Sequence, residues 1–165
     1  MLRWILACVA ASPVAPAWAQ QPAATPRTHA VNLPPASDLA ADAAQSGAAR
    51  IPVLLFFDRG DCPYCERALR EFLVPMATGE EWRGRAVYRQ VEIDQPFPMA
   101  DFSGAKTTHR AFAERHAIKL TPTIYIVDAS GTPLGKPLVG LMTPDFYGAY
   151  LENAIDAATK RLRAL

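Results

Sequence analysis

Residues 52–65 read PVLLFFDRGDCPYC, and the fold is decided there. Val53 to Phe57 is a continuous apolar run of strand length that ends at Asp58. A run without polar alternation suits a strand buried on both faces of a parallel or mixed sheet. Arg59-Gly60-Asp61 makes a turn, and Pro63 suits the first position of a helix on which Leu69, Phe72 and Leu73 recur at helical spacing. Cys62 and Cys65 therefore stand three apart on the first turn of a helix that leaves a buried strand. Free N–H groups and the macrodipole at such a terminus favour negative charge, which lowers the thiol pKa of a cysteine at the cap. Cys65, one turn along, is within sulfur-bonding reach of Cys62 and more deeply placed. Such a pair can divide the work, with Cys62 attacking a disulfide as thiolate and Cys65 resolving the mixed disulfide.

Outward from this stretch, helices and strands alternate. Ser37 and Asp38 cap an alanine-rich helix that runs to about Ala49. Ala86 to Asp94 alternates as a strand, with Val87, Arg89, Val91 and Ile93 on one side and Tyr88, Gln90 and Glu92 on the other. Gln95 to Thr107 reads as a long connection that shapes partner choice. Thr108 to His116 is a helix, with His109 and His116 read as surface residues. Thr123 to Asp128 is a strand, Ala129-Ser130-Gly131 a hairpin turn, and Leu138 to Met142 the returning strand. A last helix starts with Thr143 and Pro144 and carries an apolar stripe of Phe146, Tyr150, Leu151, Ala154, Ile155 and Ala158. The order α-β-α-β-α-β-β-α predicts an α/β domain, a central mixed β-sheet with helices on both faces.

Composition narrows the class. The 165 residues are 50% hydrophobic, and 17 Lys+Arg against 16 Asp+Glu give a formal charge of +1. That balance offers no electrostatic footprint for nucleic acid. Three cysteines are too few for a disulfide scaffold and cannot all pair internally. Residues 1–19 resolve the odd thiol: Arg3, the apolar stretch Trp4–Ala11 and Ala17-Trp18-Ala19 read as a cleavable signal peptide that carries Cys8 away. A retained anchor is the alternative reading of that segment. Residues 20–36, rich in Pro, Ala and Thr, read as a flexible lead, and residues 37–163 as the folded domain. The location implied is the periplasm, and the domain is expected to be a monomer.

Other uses of a C-x-x-C pair fit less well. Structural zinc needs four ligands, and no second cysteine pair exists; His109 and His116 are spaced too widely for a Cys2His2 site. Attached haem needs histidine after the second cysteine, where Glu66 stands. Two rivals stay open: a purely structural disulfide, and a Cu(I)-holding thiol module whose third soft ligand would have to be Met99 or Met142.

At Cys62-Pro63-Tyr64-Cys65, and again at His116-Ala117-Ile118-Lys119-Leu120-Thr121-Pro122-Thr123-Ile124, the chain resembles the thioredoxin fold over about residues 37–163. Asp101-Phe102-Ser103-Gly104 is similar to a segment of exported bacterial thioredoxin-like proteins of the sulfur-oxidation-associated (SoxW-like) type. The resemblance implies a periplasmic thiol–disulfide oxidoreductase that acts on exported protein disulfides, as a reductant recharged by a membrane thiol-reductant transporter. A disulfide oxidase or isomerase is the alternative within the class. It implies a redox-active Cys62–Cys65 disulfide and a cis peptide before Pro122, with Pro63, Tyr64, Thr121 and Pro122 meeting the substrate. The dithiol carries the electrons itself, so neither cofactor nor metal is implied. The chain departs from cytosolic thioredoxins in two places. Phe56 occupies the position, six before the first cysteine, where they bury an acid, and Asp61 stands where they have tryptophan. The double glycine that holds glutathione in glutaredoxins is missing.

Overall fold

The computed structural model describes residues 29–164. The expected signal peptide and the first part of the lead lie outside the described residues. Among those described, no helix is long and apolar enough to cross a membrane.

Helix α1 (Leu39–Ala49) starts at Asp38, whose carboxylate accepts from Ala41 N at 2.9 Å, and ends on Arg50 in the left-handed region. Strand β1 (Val53–Asp58) is buried at every position. Next come α2 (Pro63–Ala68), a π-helical turn at Leu69–Leu73 and α3 (Val74–Thr78), which continue one another. Pro75 cannot donate to a preceding carbonyl, and its ring crowds the turn before it, so the wider π turn immediately upstream accommodates it. Strand β2 (Val87–Glu92) follows, then a short pair, β3 (Pro98–Ala100) and β4 (Lys106–Thr108), and α4 (His109–Arg115). Strands β5 (Thr123–Val127) and β6 (Leu138–Val139) and the long helix α5 (Pro144–Ala164) complete the domain.

The sheet has the order β2-β1-β5-β6, with β1 parallel to β2 and antiparallel to β5. The α/β class and the mixed central sheet thus stand as read. Side-chain alternation along β1 feeds two cores. Leu54 and Phe56 face a cluster with Cys65, Leu69, Leu73, Leu151 and Ile155, from the α2–α3 and α5 side. Val53, Leu55 and Phe57 face a second cluster with Leu39 of α1 and Phe112 of α4. Because both faces are covered, Tyr88 and Gln90 of β2 are as buried as Val87 and Val91. Asp42 and Arg89 fasten α1 to β2 through two hydrogen bonds of 2.8 and 2.5 Å.

Several expectations need correcting. The connection over residues 95–107 contains the β3–β4 hairpin, turned at Asp101, whose Oδ1 accepts from the amides of Ser103 and Ala105. The buried stripe of α5 is Tyr147, Leu151, Ile155 and Ala158, whereas Phe146 and Tyr150 stand exposed. The helical spacing that carries Leu151 and Ile155 inward selects Tyr147 at the start and leaves the aromatics one position earlier on the flank. His109 is not a surface residue: it is buried, and its Nδ1 accepts from Glu92 N at 3.0 Å. Residues 29–36, expected within a flexible lead, pack against the domain. Pro35 bridges Gln90 in parallel sense, Ala36 N donates to Gln90 O at 2.9 Å, and Leu33 and Ala36 are buried.

Candidate functional site

Cys62 and Cys65 are joined by a disulfide with a Cα–Cα distance of 5.2 Å. The local sequence accounts for its placement. Cys62 N donates to Arg59 O at 3.1 Å, which closes the turn after β1, and Pro63 opens α2 with its fixed φ. Cys62 takes the cap position with extended backbone, and its sulfur accepts from Cys65 N at 3.1 Å. A sulfur at this cap thus receives an amide in the place a serine or aspartate oxygen would, and the same amide can stabilise a thiolate there. Cys62 is half-buried and Cys65 fully buried. An incoming sulfur can therefore reach the first cysteine and not the second.

Pro63 and Tyr64 are exposed beside the disulfide, Tyr64 at 63%. The Thr121–Pro122 peptide is cis. Because β5 runs antiparallel to β1 with Thr123 opposite Phe57, the Thr121–Pro122 turn lies at the sheet end from which the cysteine loop emerges. Pro122 O accepts from Gly140 N at 2.7 Å, which ties that turn to the end of β6. One end of the sheet thus gathers Cys62, Pro63, Tyr64, Cys65, Thr121 and Pro122. Met99 belongs to the core on the opposite face from Cys65, so it cannot serve as a third soft ligand to the pair. Among the described residues, no group of three His, Cys, Asp or Glu side chains is placed to hold a metal.

The charges near the pair are arranged in two layers. On the exposed side Arg59 Nε meets Asp61 Oδ1 at 3.3 Å, so the turn's two charges offset each other. Underneath, Asp58 is completely buried at the end of β1, on the face of that strand shared with Phe56 and Cys65. Its Oδ2 meets His29 Nε2 at 2.9 Å and accepts from Gln90 Nε2 at 2.9 Å. His29 Nδ1 in turn meets Glu66 Oε2 at 3.0 Å, one residue beyond Cys65. Burial pushes the Asp58 carboxyl up, and the Asp58 carboxylate pushes the His29 imidazole up. Glu92, opposite Asp58 on β2, lines a cavity of about 430 Å³ with Leu33, Gln90 and His109, and burial pushes its carboxyl up to about 7.

The buried acid six residues before Cys62 is absent, because Phe56 fills that position in the core; the buried acid here is Asp58. Its sequence signal is a single carboxylate ending an otherwise apolar strand. His29 has no local signal, since it lies in a proline- and alanine-rich stretch without periodicity.

A thioredoxin-like domain family matches residues 38–155 of this chain. No curated protein sequence matches it. Among solved structures, a thioredoxin-fold protein from Helicobacter pylori is 26% identical, with 70% of this chain and 81% of that chain covered and a TM-score of 0.47. The oxidised C-terminal domain of DsbD from Neisseria meningitidis is 19% identical over 70% of this chain and 90% of its own, with a TM-score of 0.47. The periplasmic thioredoxin SoxS from Paracoccus pantotrophus is 22% identical over 65% of this chain and 98% of its own, with a TM-score of 0.45. With most of the described domain matched and a C-x-x-C disulfide at the strand–helix junction, the chain belongs to the thioredoxin-like domain family.

Proposed function

We propose that this protein is an exported thiol–disulfide oxidoreductase that reduces disulfides of other exported proteins through Cys62 and Cys65. The observation that carries the reading is the asymmetry of the pair: Cys62 is half-buried, capped by the Cys65 amide at 3.1 Å, and Cys65 is buried behind it. In the reduced protein the Cys62 thiolate attacks a substrate disulfide, and the substrate's first sulfur leaves as thiolate. Cys65 then loses its proton and attacks Cys62 Sγ, which releases the second substrate thiolate and closes the protein disulfide. Two electrons pass to the substrate. Tyr64 and Pro63 form one wall for the substrate chain, and Thr121, before the cis Pro122, offers backbone groups for strand-like pairing.

Export rests on residues 1–19, read as a cleavable signal that leaves a monomeric domain with one cysteine pair. In the oxidising periplasm a reductant needs recharging, which a membrane thiol-reductant transporter supplies. The working direction follows the resemblance to SoxW-like proteins.

The test is the equilibrium potential of the Cys62/Cys65 couple together with the rate of insulin-disulfide reduction. A potential within about 30 mV of the thioredoxin range, near −270 mV, with rapid insulin reduction is the expected outcome. A strongly oxidising potential would transfer the protein to the disulfide-forming oxidases. Cys65→Ser should accumulate a mixed disulfide with substrate on Cys62, and unchanged turnover in Cys62→Ser would remove the mechanism. Retention of one Cu(I) per chain against a strong competitor would favour the metal-holding module.

A further inference from the structure

His29 joins three elements that the sequence keeps apart. It comes from the segment before α1, and its two ring nitrogens face the last residue of β1 and the first turn of α2. Nε2 lies 2.9 Å from Asp58 Oδ2 and Nδ1 lies 3.0 Å from Glu66 Oε2. A neutral imidazole can donate from only one nitrogen, whereas the imidazolium donates from both. Nε2 hydrogen-bonds Asp58 Oδ2, and Nδ1 makes an ion-pair contact with Glu66 Oε2, so two carboxylates together favour the charged ring. The cluster is held firmly: the His29 side chain is 4% exposed and that of Asp58 0%, Ala30 N donates to Glu66 Oε2, and Gln90 braces Asp58 and accepts from Leu33 N.

The cluster abuts the dithiol. Asp58 shares the strand face that packs on Cys65, Glu66 directly follows Cys65, and Glu66 N donates to Cys62 O at 3.1 Å. Asp94 stands behind Asp58 and adds negative charge, while Glu92 beside it is held towards its neutral form by burial. Carboxylates beside a thiol disfavour its thiolate, and a cation set between them removes part of that effect.

We infer that His29 is a positioning residue for the dithiol: as an imidazolium held between Asp58 and Glu66, it offsets their charge and lowers the pH at which Cys62 becomes a thiolate. The inference rests on the redox reading of the pair, and it assigns a role to a residue outside the thioredoxin motifs. His29 touches neither substrate nor sulfur; it acts through the two carboxylates it bridges.

The experiment uses the full chain, reduced, with Cys62 ionisation followed by thiolate ultraviolet absorbance and by the rate of iodoacetamide alkylation against pH. His29→Gln should raise the Cys62 pKa by about half a unit to one unit, slowing alkylation roughly three- to tenfold below that pKa. Asp58→Asn and Glu66→Gln should lower it. Opposite signs are the signature of charge balance. A purely structural His29 would instead lower the thermal midpoint and leave the thiol titration unmoved, or shift all three variants in one direction, and either result overturns the inference. Wild-type protein supplies a check that does not depend on any variant folding. Since binding of protons at coupled sites is reciprocal, the His29 imidazole followed by NMR should titrate at higher pH in the reduced protein, with its Cys62 thiolate, than in the oxidised one. Equal values in the two states would overturn the proposal. Insulin reduction in the same samples is a separate readout, so a protein that titrates as expected but reduces nothing condemns the redox reading and not the charge balance.

Discussion

Asp58, Glu92 and Asp94 crowd the ends of β1 and β2, and among the described residues each has one carboxylate oxygen buried without a hydrogen-bond partner. Such oxygens are costly when charged, and Glu92 shows the consequence most directly, because burial and the neighbouring Asp58 and Asp94 push it up to about 7. The fold therefore favours the protonated Glu92. Its contribution is fully present below the unfolded-state pKa of 4.5 and is lost as pH rises through about 7. Glu92→Gln makes the neutral form permanent. It should leave stability unchanged near pH 5 and raise it by about 1 kcal/mol near pH 8, the value being reduced by the solvent that reaches the partly exposed side chain. Urea midpoints at the two pH values measure this, and an equal effect at both would count against a neutral buried Glu92. The sequence showed the sulfurs of the site because C-x-x-C after an apolar strand is a local pattern. It did not show the charges beneath them, since His29, Asp58 and Glu66 meet only through tertiary packing across 29 and 37 residues of chain.

At the scale of elements, the long periodic or unbroken segments were readable: β1, α1, the cysteine helix, α4, β5 and α5 all lie where apolar spacing and caps place them. The β3–β4 hairpin was not, because three-residue strands containing Pro98, Lys106 and two threonines present no alternation long enough to recognise. Its tip nevertheless packs on the domain. Phe102 lies over Gly131, which has φ +83°, in a turn where Asp128 Oδ1 accepts from the amides of Ser130 and Thr132. A Cβ on Gly131 would sit 2.6 Å from Phe102 Cδ2, and its backbone conformation is one that L side chains rarely adopt. Gly131→Ala should thus cost about 2–3 kcal/mol by combining strain with displacement of Phe102. Phe102→Ala in the same background should recover part of that loss by removing the clash, which a double-mutant cycle in urea would measure. A Gly131→Ala variant as stable as the parent would show that the turn has room to shift.

Taken whole, the molecule is larger at its N-terminal edge than its hydrophobic pattern announces. The segment from His29 to Ala36 has neither helical nor strand periodicity, and its prolines argue for a solvated lead. Yet prolines are compatible with an edge strand, where the missing N–H faces away from the sheet. Pro35, bridged to Gln90, sits in this way: Pro34 O accepts from Gln90 N at 2.9 Å, and Ala36 N returns a bond of 2.9 Å to Gln90 O, so the segment runs beside the edge strand β2. Leu33 is 4% exposed within the core that contains Cys65 and Phe56, and His29 closes the cluster beneath the disulfide. A chain beginning at Ser37 would lose all three contributions at once. Removing Leu33 alone matches a buried leucine truncation of about 2–5 kcal/mol, and it would open Asp58 and Gln90 to water. A chain beginning at Gln20 keeps the segment. The shorter form should therefore unfold at a markedly lower urea concentration than the longer one, with a deficit of about 3 kcal/mol or more, and its amides on β2 should exchange faster with solvent. If the two unfold together, the strap is an ornament on a domain that already ends at Ser37, and the reach of His29 to the dithiol loses its structural support.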